Sequence, residues 1–525
     1  MKKEYDILIV GYGMLGNLAA LLLADMGMSV VVVEKKQATD ILVAKSARID
    51  EEILLVLEQL GLIDVVKDLL YPLEGTQIVD KKERVLLEFN QTSRSQFAPL
   101  VGFYQPDIQK IIQEKAAAHK NINLFLGYEV ETFEQDEAKV DVYISPTGTQ
   151  NFIALEANFM LVCNGQYSRI ADFLKIEIKD YKYHSSVLCV DTVGKKATQV
   201  SPNYAQTIYD AEFPVVKMAK GKLHQRWEFQ MDKENIEADQ TPEKVRRLLA
   251  ALNPLDLTVE SAFVYNFDSK ILEKWQEKRV LILGDAAHIM PPYLGMGLSA
   301  GIKDVYNLAW KLRLIQKETA SLDLLETYQQ ERQPDVERLI KLNLWIKRLF
   351  QSSKFNWIKR FVPIIPKWFL KKKLDLATNL KSGIVGHSKL SGRVVCSPKV
   401  ANHKGDTVSF NQALEFNFVV LGLDKNPVDA LNAASLEYLA TVGTQFVQLT
   451  PQKKKFVQDG RYTQNLYDKE GKLQAWMKEN KGQFLLIRPD RIVYDFCADK
   501  TSLNASVKTL GQQLKVSCLF SESFE

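Results

Sequence analysis

Residues Tyr5 to Glu34 read YDILIVGYGMLGNLAALLLADMGMSVVVVE. Tyr5 to Val10 is a short apolar strand pattern, and Gly11-Tyr12-Gly13-Met14-Leu15-Gly16 follows it. A helical pattern runs from Leu18 to Met26, and Gly27 ends it. Ser29 to Val33 is a second, β-branched strand that closes on Glu34. Strand, glycines, helix, strand and acid in this order predict a βαβ unit that binds a dinucleotide. Gly11 permits the tight turn, Gly13 lets backbone approach a pyrophosphate, and Gly16 lets helix pack closely on strand. The helix start offers free N–H groups and partial positive charge, and Glu34 is placed for a ribose hydroxyl pair.

A second stretch, Gly284 to Lys311, reads GDAAHIMPPYLGMGLSAGIKDVYNLAWK. The apolar run Val280 to Leu283 stops at Gly284-Asp285, a Pro/Gly loop follows, and a helical pattern begins near Leu298. This is again a strand end with an acid and a helix start, a place to hold a polar, phosphate-bearing cofactor. The first motif does not separate NAD from FAD. Two grips hundreds of residues apart suit FAD, whose flavin lies far from its adenosine. Backbone N–H groups after Gly297 would stabilise the charge that a flavin gains at its pyrimidine edge on reduction.

The chain has 525 residues, 46% hydrophobic and 25% charged, which favours two or three domains of an ordinary globular protein. A net charge of +4 and the lack of a basic, aromatic-interleaved motif argue against nucleic acid. The five cysteines, Cys163, Cys189, Cys396, Cys497 and Cys518, are scattered and never spaced as CxxC. That argues against a disulfide framework, a metal site or a redox pair. The N-terminal apolar run is the nucleotide motif itself, not a signal peptide, and no segment is long and apolar enough to span a bilayer. The expectation is a cytoplasmic protein.

The sequence resembles the class A flavoprotein monooxygenases of the para-hydroxybenzoate hydroxylase fold, and within them the hydroxyphenylpropionate hydroxylases. The resemblance spans essentially the whole chain. It is carried by Asp6–Lys35, Ala47–Leu62 (ARIDEEILLVLEQLGL), Tyr104–Lys115 (YQPDIQKIIQEK), Arg226–Phe229 (RWEF), Arg279–Leu312, Leu325–Arg332 (LETYQQER) and Leu485–Val493 (LLIRPDRIV). It implies an FAD-binding Rossmann-like α/β unit (1–70, 101–180, 268–345) interleaved with an antiparallel substrate sheet (71–100, 181–267). A helical connector (346–391) and a thioredoxin-like C-terminal domain (392–525) would follow. It implies that Gly11, Tyr12, Gly13, Met14, Leu15, Gly16, Glu34 and Lys35 hold the ADP half of FAD. Arg48 would lie near the pyrophosphate and ribityl chain, with Gln105, Gly284 and Asp285 on the ribityl chain. Pro292, Gly295, Gly297, Leu298 and Ser299 would pass beneath the flavin.

The implied reaction is hydroxylation of an aromatic, phenolic substrate through a flavin C4a-hydroperoxide, with NAD(P)H and O2 as co-substrates. Polyketide or antibiotic modification, including Baeyer–Villiger insertion, is an alternative within the family; a flavin-binding sensor with impaired reduction lies outside it. A monomer or homodimer is expected. The sequence departs from the family at four positions. Asn164, before Gly165, stands where an Asp is expected and Ala171 where an Arg is expected, in a motif tied to FAD and NAD(P)H. Met296 and Ser299 replace a Gln and an Asn in the flavin loop, and Ser retains the ability to cap the helix.

Catalytic side chains are not evident, as expected where the cofactor carries the chemistry. Arg226 has two readings, a partner for an anionic substrate or an ion pair with Glu228 or another nearby acid. His224, His184 and Tyr265 are proton-transfer candidates or ordinary satisfied residues, and His288 reads as structural. The basic aromatic stretch Trp345 to Lys373 reads as a connector or as a peripheral membrane contact.

Overall fold

Strand Lys3–Val10 lies at the centre of a mostly parallel sheet, as its unbroken buried run Ile7–Val10 requires. The computed structural model describes residues 3–37, 44–194, 203–210, 214–231, 241–252, 257–351, 375–402, 404–450 and 463–514. In the sheet, Val280–Ile282, Ile153–Val162, Lys3–Val10, Val30–Glu34 and Ile122–Leu126 run parallel in that order, and Gln276–Glu277 adds an antiparallel edge. Val140–Pro146 and Tyr128–Gln135 extend it as antiparallel strands.

Helix Met14–Asp25 is almost wholly buried against this sheet, helix Gln105–Ala117 and helix Gly297–Gln316. Gly16 explains the closeness, because a Cβ there would lie 2.0 Å from the Gly11 carbonyl oxygen. Gly11 itself has φ +106, and a Cβ on it would meet the Cys163 carbonyl at 2.7 Å.

A second sheet of eight strands is ordered His288–Ile289, Leu257–Leu272, Ile178–Gly194, His224–Gln230, Val215–Ala219, Tyr204–Ile208, Gly75–Val79 and Val85–Asn90. Its neighbouring strands are antiparallel with one exception, and two nearby strands lie outside it. Tyr204–Ile208 pairs parallel with Gly75–Val79. Leu70–Leu73 and Leu100–Phe103 leave it to form a three-stranded sheet with Arg48–Asp50, which carries Arg48 to the sheet junction.

Towards the C-terminus, seven strands from Lys399 to Cys497 form a third sheet. The alternation in Val419–Leu423 sends Val420 towards helices Ala433–Thr441 and Lys500–Leu514, and Val419 and Leu421 towards helix Lys472–Glu479. This sheet is locked to the first by buried charges. Glu331 lies 3.1 Å from Lys311 and 2.8 Å from Arg488, and Arg488 also pairs with Asp490 at 2.6 Å. Trp345–Lys373 begins in helix Glu326–Gln351, and its remainder lies outside the described residues. No described helix is long and apolar enough to cross a membrane.

Candidate active site

Three parallel strands end side by side at Val10, Val162 and Ile282. Ligands in open α/β sheets bind in the crevice outside such carboxyl ends. Here the three ends continue into Gly11, Cys163-Asn164 and Leu283-Gly284, and a cleft of about 1280 Å³ opens beyond them. One cleft is lined by both grips read in the sequence. Gly11, Gly13, Met14, Leu15, Glu34 and Lys35 line it from the first, and Gly284, Asp285, Pro292, Gly295, Gly297 and Leu298 from the second. Arg48, Gln105, Asn164 and Gly165 lie between them, and Tyr265 lines it from the second sheet.

Three expected residues do not line the cleft. Tyr12 is buried, with its hydroxyl 3.3 Å from the Gln113 carbonyl, while its backbone N–H donates to Glu34 at 2.9 Å. Gly16 acts through packing. Ser299 is fully buried and does not cap the helix: the helix starts at Gly297, and the Ser299 hydroxyl accepts from the Asp50 N–H at 3.4 Å.

The loop Gly284–Ala286 is fixed from behind by Asp304. Its carboxylate accepts from the Gly284 N–H at 3.1 Å, from the His288 ring at 2.7 Å and from Arg332 Nε at 2.9 Å. His288 is therefore structural, as expected. Asp285 is left facing the cleft, half-buried, and accepts no hydrogen bond from any described residue. Burial raises its carboxyl above the ordinary aspartate range, against His288 and Lys45.

Arg48 is buried, donates to the Thr76 hydroxyl at 3.2 Å and the Tyr293 carbonyl at 3.4 Å, and keeps its Nε without a hydrogen-bond partner among the described residues. Burial lowers it to about 10, so it stays charged at neutral pH. Gln105 accepts from the Ser46 N–H at 2.7 Å and donates to Gln109, which ties the segment before Arg48 to helix Gln105–Ala117.

Arg226 takes the second of its two readings, with Asp191 as the nearby acid. Nε and Nη2 each lie 2.9 Å from an Asp191 oxygen, Nη1 donates to the Lys45 carbonyl at 2.8 Å, and Nη2 also donates to the Ala44 carbonyl. It is 1% exposed and absent from the cleft wall, so it is not presented to a substrate in the cleft. His224 stacks on Tyr104 with ring centroids 4.3 Å apart and lies 3.4 Å from Glu260, outside the cleft wall. His184 is paired with Asp268 at 2.6 Å and is also outside it. The residue that the sequence reading missed is Glu228, which lines the cleft two positions after Arg226. Strand alternation was the available signal, since it places both on one face.

The family model described as FAD binding domain matches residues 4–343, more than half of the chain. The chain belongs to this FAD-binding family. A second model, the HcaD C-terminal domain, matches residues 392–513. The 3-(3-hydroxy-phenyl)propionate/3-hydroxycinnamic acid hydroxylase of Escherichia coli O81 (strain ED1a) is 27% identical, with 97% of this chain and 96% of that protein covered. The protein of that name from Shigella sonnei (strain Ss046) is 26% identical over the same shares. Among solved structures, the flavin-dependent monooxygenase PieE with FAD and substrate shares the fold at a TM-score of 0.79 and 16% identity, covering 98% of this chain and 99% of that one. Aklavinone-11 hydroxylase with FAD and aklavinone does so at 0.76 and 20%, covering 98% and 100%.

FAD fits the cleft of this family member on its own chemistry. A Cβ at Gly13 would meet nothing within 4 Å, which leaves open space at the helix start for a pyrophosphate. The unpartnered Arg48 Nε supplies a buried donor, and the free Asp285 carboxylate supplies an acceptor for a sugar-alcohol hydroxyl. Of the family departures, Asn164 is exposed on the cleft wall and Ala171 is buried. Arg169, two residues before Ala171, lines the cleft and is exposed.

Proposed function

We propose that the protein is an FAD-dependent monooxygenase that hydroxylates an aromatic, phenolic substrate with NAD(P)H and O2. The observation that carries the reading is the continuity of one cleft from the dinucleotide grip at Gly11 and Glu34 to a wall of Met218, Glu228, Tyr265 and Phe267 on the second sheet. A cofactor held at both grips would have its flavin end on the side of that wall, where a planar substrate ring would find aromatic and thioether neighbours. The curated relatives that match nearly the full chain are named as hydroxylases of 3-(3-hydroxyphenyl)propionate and 3-hydroxycinnamic acid, which supports a phenol.

Bound FAD supplies the redox chemistry, taking electrons from NAD(P)H and transferring one oxygen atom from O2. The chain's own residues bind, orient and exclude water. Gly11, Gly13 and Glu34 would hold the adenosine end, Arg48 and Asp285 the middle, and Gly295 to Leu298 the flavin end. The wall of the second sheet holds the substrate ring and keeps water from the reacting centre. Asn164 and Gly165, on the cleft wall, would border the approach of the nicotinamide nucleotide. Residues 392–525 are read as a thioredoxin-like domain without CxxC that braces the FAD-binding part, in a cytoplasmic monomer or homodimer.

The test is to purify the protein, record its flavin spectrum and follow NADH and NADPH oxidation with a panel of phenols and polyketides, with mass analysis of the products. The expected result is substrate-stimulated oxidation and a phenol product heavier by one oxygen. Turnover of polyketides in place of phenols would move the reading to the second class that the fold serves. No reduction by either nucleotide, with or without ligand, would end it.

A further inference from the structure

Arg226 and Glu228 share one face of strand His224–Gln230, and the neighbouring strands explain their different fates. Across the ladders, Arg226 is flanked by Asp191 and Met218, and Glu228 by Cys189 and Val216. One row therefore gives the arginine a carboxylate, and the next gives the glutamate a thiol and a valine. The Glu228 carboxylate forms no hydrogen bond or ion pair with any described residue, yet it lines the cleft. The second sheet also contributes Met218, Tyr265, Phe267 and Ile289 to this wall, and Glu228 is the one carboxylate among them.

A carboxylate partly withdrawn from water with no partner is costly, and such groups mark sites of proton exchange or ligand binding. Tyr265 and Phe267 line the same cleft from strand Leu257–Leu272, with ring centroids 4.4 Å apart, an aromatic surface for a planar substrate. We propose that Glu228 is the base that removes the proton from a ring hydroxyl of the substrate. This rests on the aromatic hydroxylase reading above.

The step breaks the substrate O–H bond, moves the proton to a Glu228 oxygen and leaves the electron pair on the substrate oxygen, where it enriches the ring. No oxidation state changes. The transfer relocates one negative charge and creates none, so the charges facing Glu228 keep their balance: Arg226 on its own strand, Arg48, Asp191 and Lys220. Burial raises the Glu228 carboxyl above the ordinary range, and Arg226 and Arg48 oppose it, which brings the base closer to the phenol it deprotonates. Tyr265 does not compete, because burial raises its hydroxyl and keeps it protonated.

The experiment compares FAD-loaded wild type, Glu228→Gln and Glu228→Asp on ring-substituted phenols that the wild type hydroxylates. Equal FAD content and flavin spectra control for folding. Ultraviolet difference spectra follow ionisation of the bound phenol against pH, and kcat and KM are measured over the same range. In wild type, bound phenol is expected to ionise below its solution value. In Glu228→Gln it should ionise only near that value, with kcat about a hundredfold or more lower at neutral pH, KM within a few-fold, and activity recovering as pH rises. Glu228→Asp should restore part of the loss. An unchanged phenol titration, or a loss equal at every pH, would overturn the inference while leaving the hydroxylase reading intact. If wild type binds and turns over no phenol, both fall together.

Discussion

Arg226 holds Asp191 through two donors, Nε and Nη2, each 2.9 Å from a carboxylate oxygen. The same guanidinium reaches the Ala44 and Lys45 carbonyls, so a strand of the second sheet fixes the segment that leads into Arg48. Arg226→Met leaves Asp191 buried with only Lys220 and Ser261 as partners. The expected cost is about 3–5 kcal/mol in urea unfolding, together with weaker FAD retention on dialysis. Arg226→Lys should not rescue retention, because one ammonium cannot serve a carboxylate and two carbonyls in that geometry. Full retention in Arg226→Met would show that the clamp is dispensable.

Lys220 is fully buried beside this pair, 3.1 Å from Asp191. Burial, then Arg226, push its ammonium down to about 7 from 10.5, against the attraction of Asp191. A depressed lysine destabilises the fold below its folded value, and the cost disappears as pH rises towards its unfolded value. Wild-type stability is therefore expected to climb between pH 7 and 10.5 through this group. Lys220→Met should flatten that rise and be neutral or stabilising at pH 6, as read by urea midpoints across the range.

The carboxylate of Asp285 has no hydrogen-bond partner among the described residues to lose. Asp285→Ala should leave the apo-protein's melting temperature nearly unchanged and weaken FAD binding about ten- to a hundredfold, the value of a hydrogen bond to a charged group. Fluorescence titration of apo-protein with FAD measures it. An unchanged affinity would remove Asp285 from the cofactor site.

Glu331 controls the acid limb. Burial alone would push its carboxyl up, but Arg488 and Lys311 outweigh this and hold it at about 2, down from 4.5. A depressed carboxylate gives stability that is complete above the unfolded value and lost as pH falls through the folded one. Between pH 4.5 and 2 the protein should lose on the order of 3 kcal/mol through this group. Glu331→Gln should remove that slope and lower stability at pH 7, as measured by denaturant titration at a series of pH values.

Asn164 offers an amide on the cleft wall where the family expects a carboxylate. Asn164→Asp is expected to speed flavin reduction by NADH or NADPH in anaerobic stopped-flow mixing. An unchanged rate would mean that the amide serves equally well.

The two grips were legible because each is local. The glycines, strand and acid of Tyr5 to Glu34 lie within thirty residues, and their backbone demands show in residue type. Glu228 was not legible for the opposite reason. Arg226 and Glu228 are adjacent charges on one strand face, and only pairing with Asp191, 35 residues upstream, decides which is consumed and which faces the cleft. The Ser299 expectation failed similarly. A serine at a helix start usually caps it, but here strand Arg48–Asp50 presents a backbone N–H to that hydroxyl. Alternation predicted the second sheet, but not the exit of Leu100–Phe103, which depends on the partner offered by Arg48–Asp50.

The junction of Lys311, Glu331 and Arg488 has a consequence for biosynthesis. Helix Gly297–Gln316 ends the cofactor cleft, yet the arginine that neutralises the glutamate on its flank is made more than 150 residues after that glutamate. A nascent chain emerging from the ribosome holds both cofactor grips and the Lys311–Glu331 pair long before Arg488 is made. The FAD-binding part is thus complete as sequence well before the C-terminal sheet can bring Arg488 to this junction.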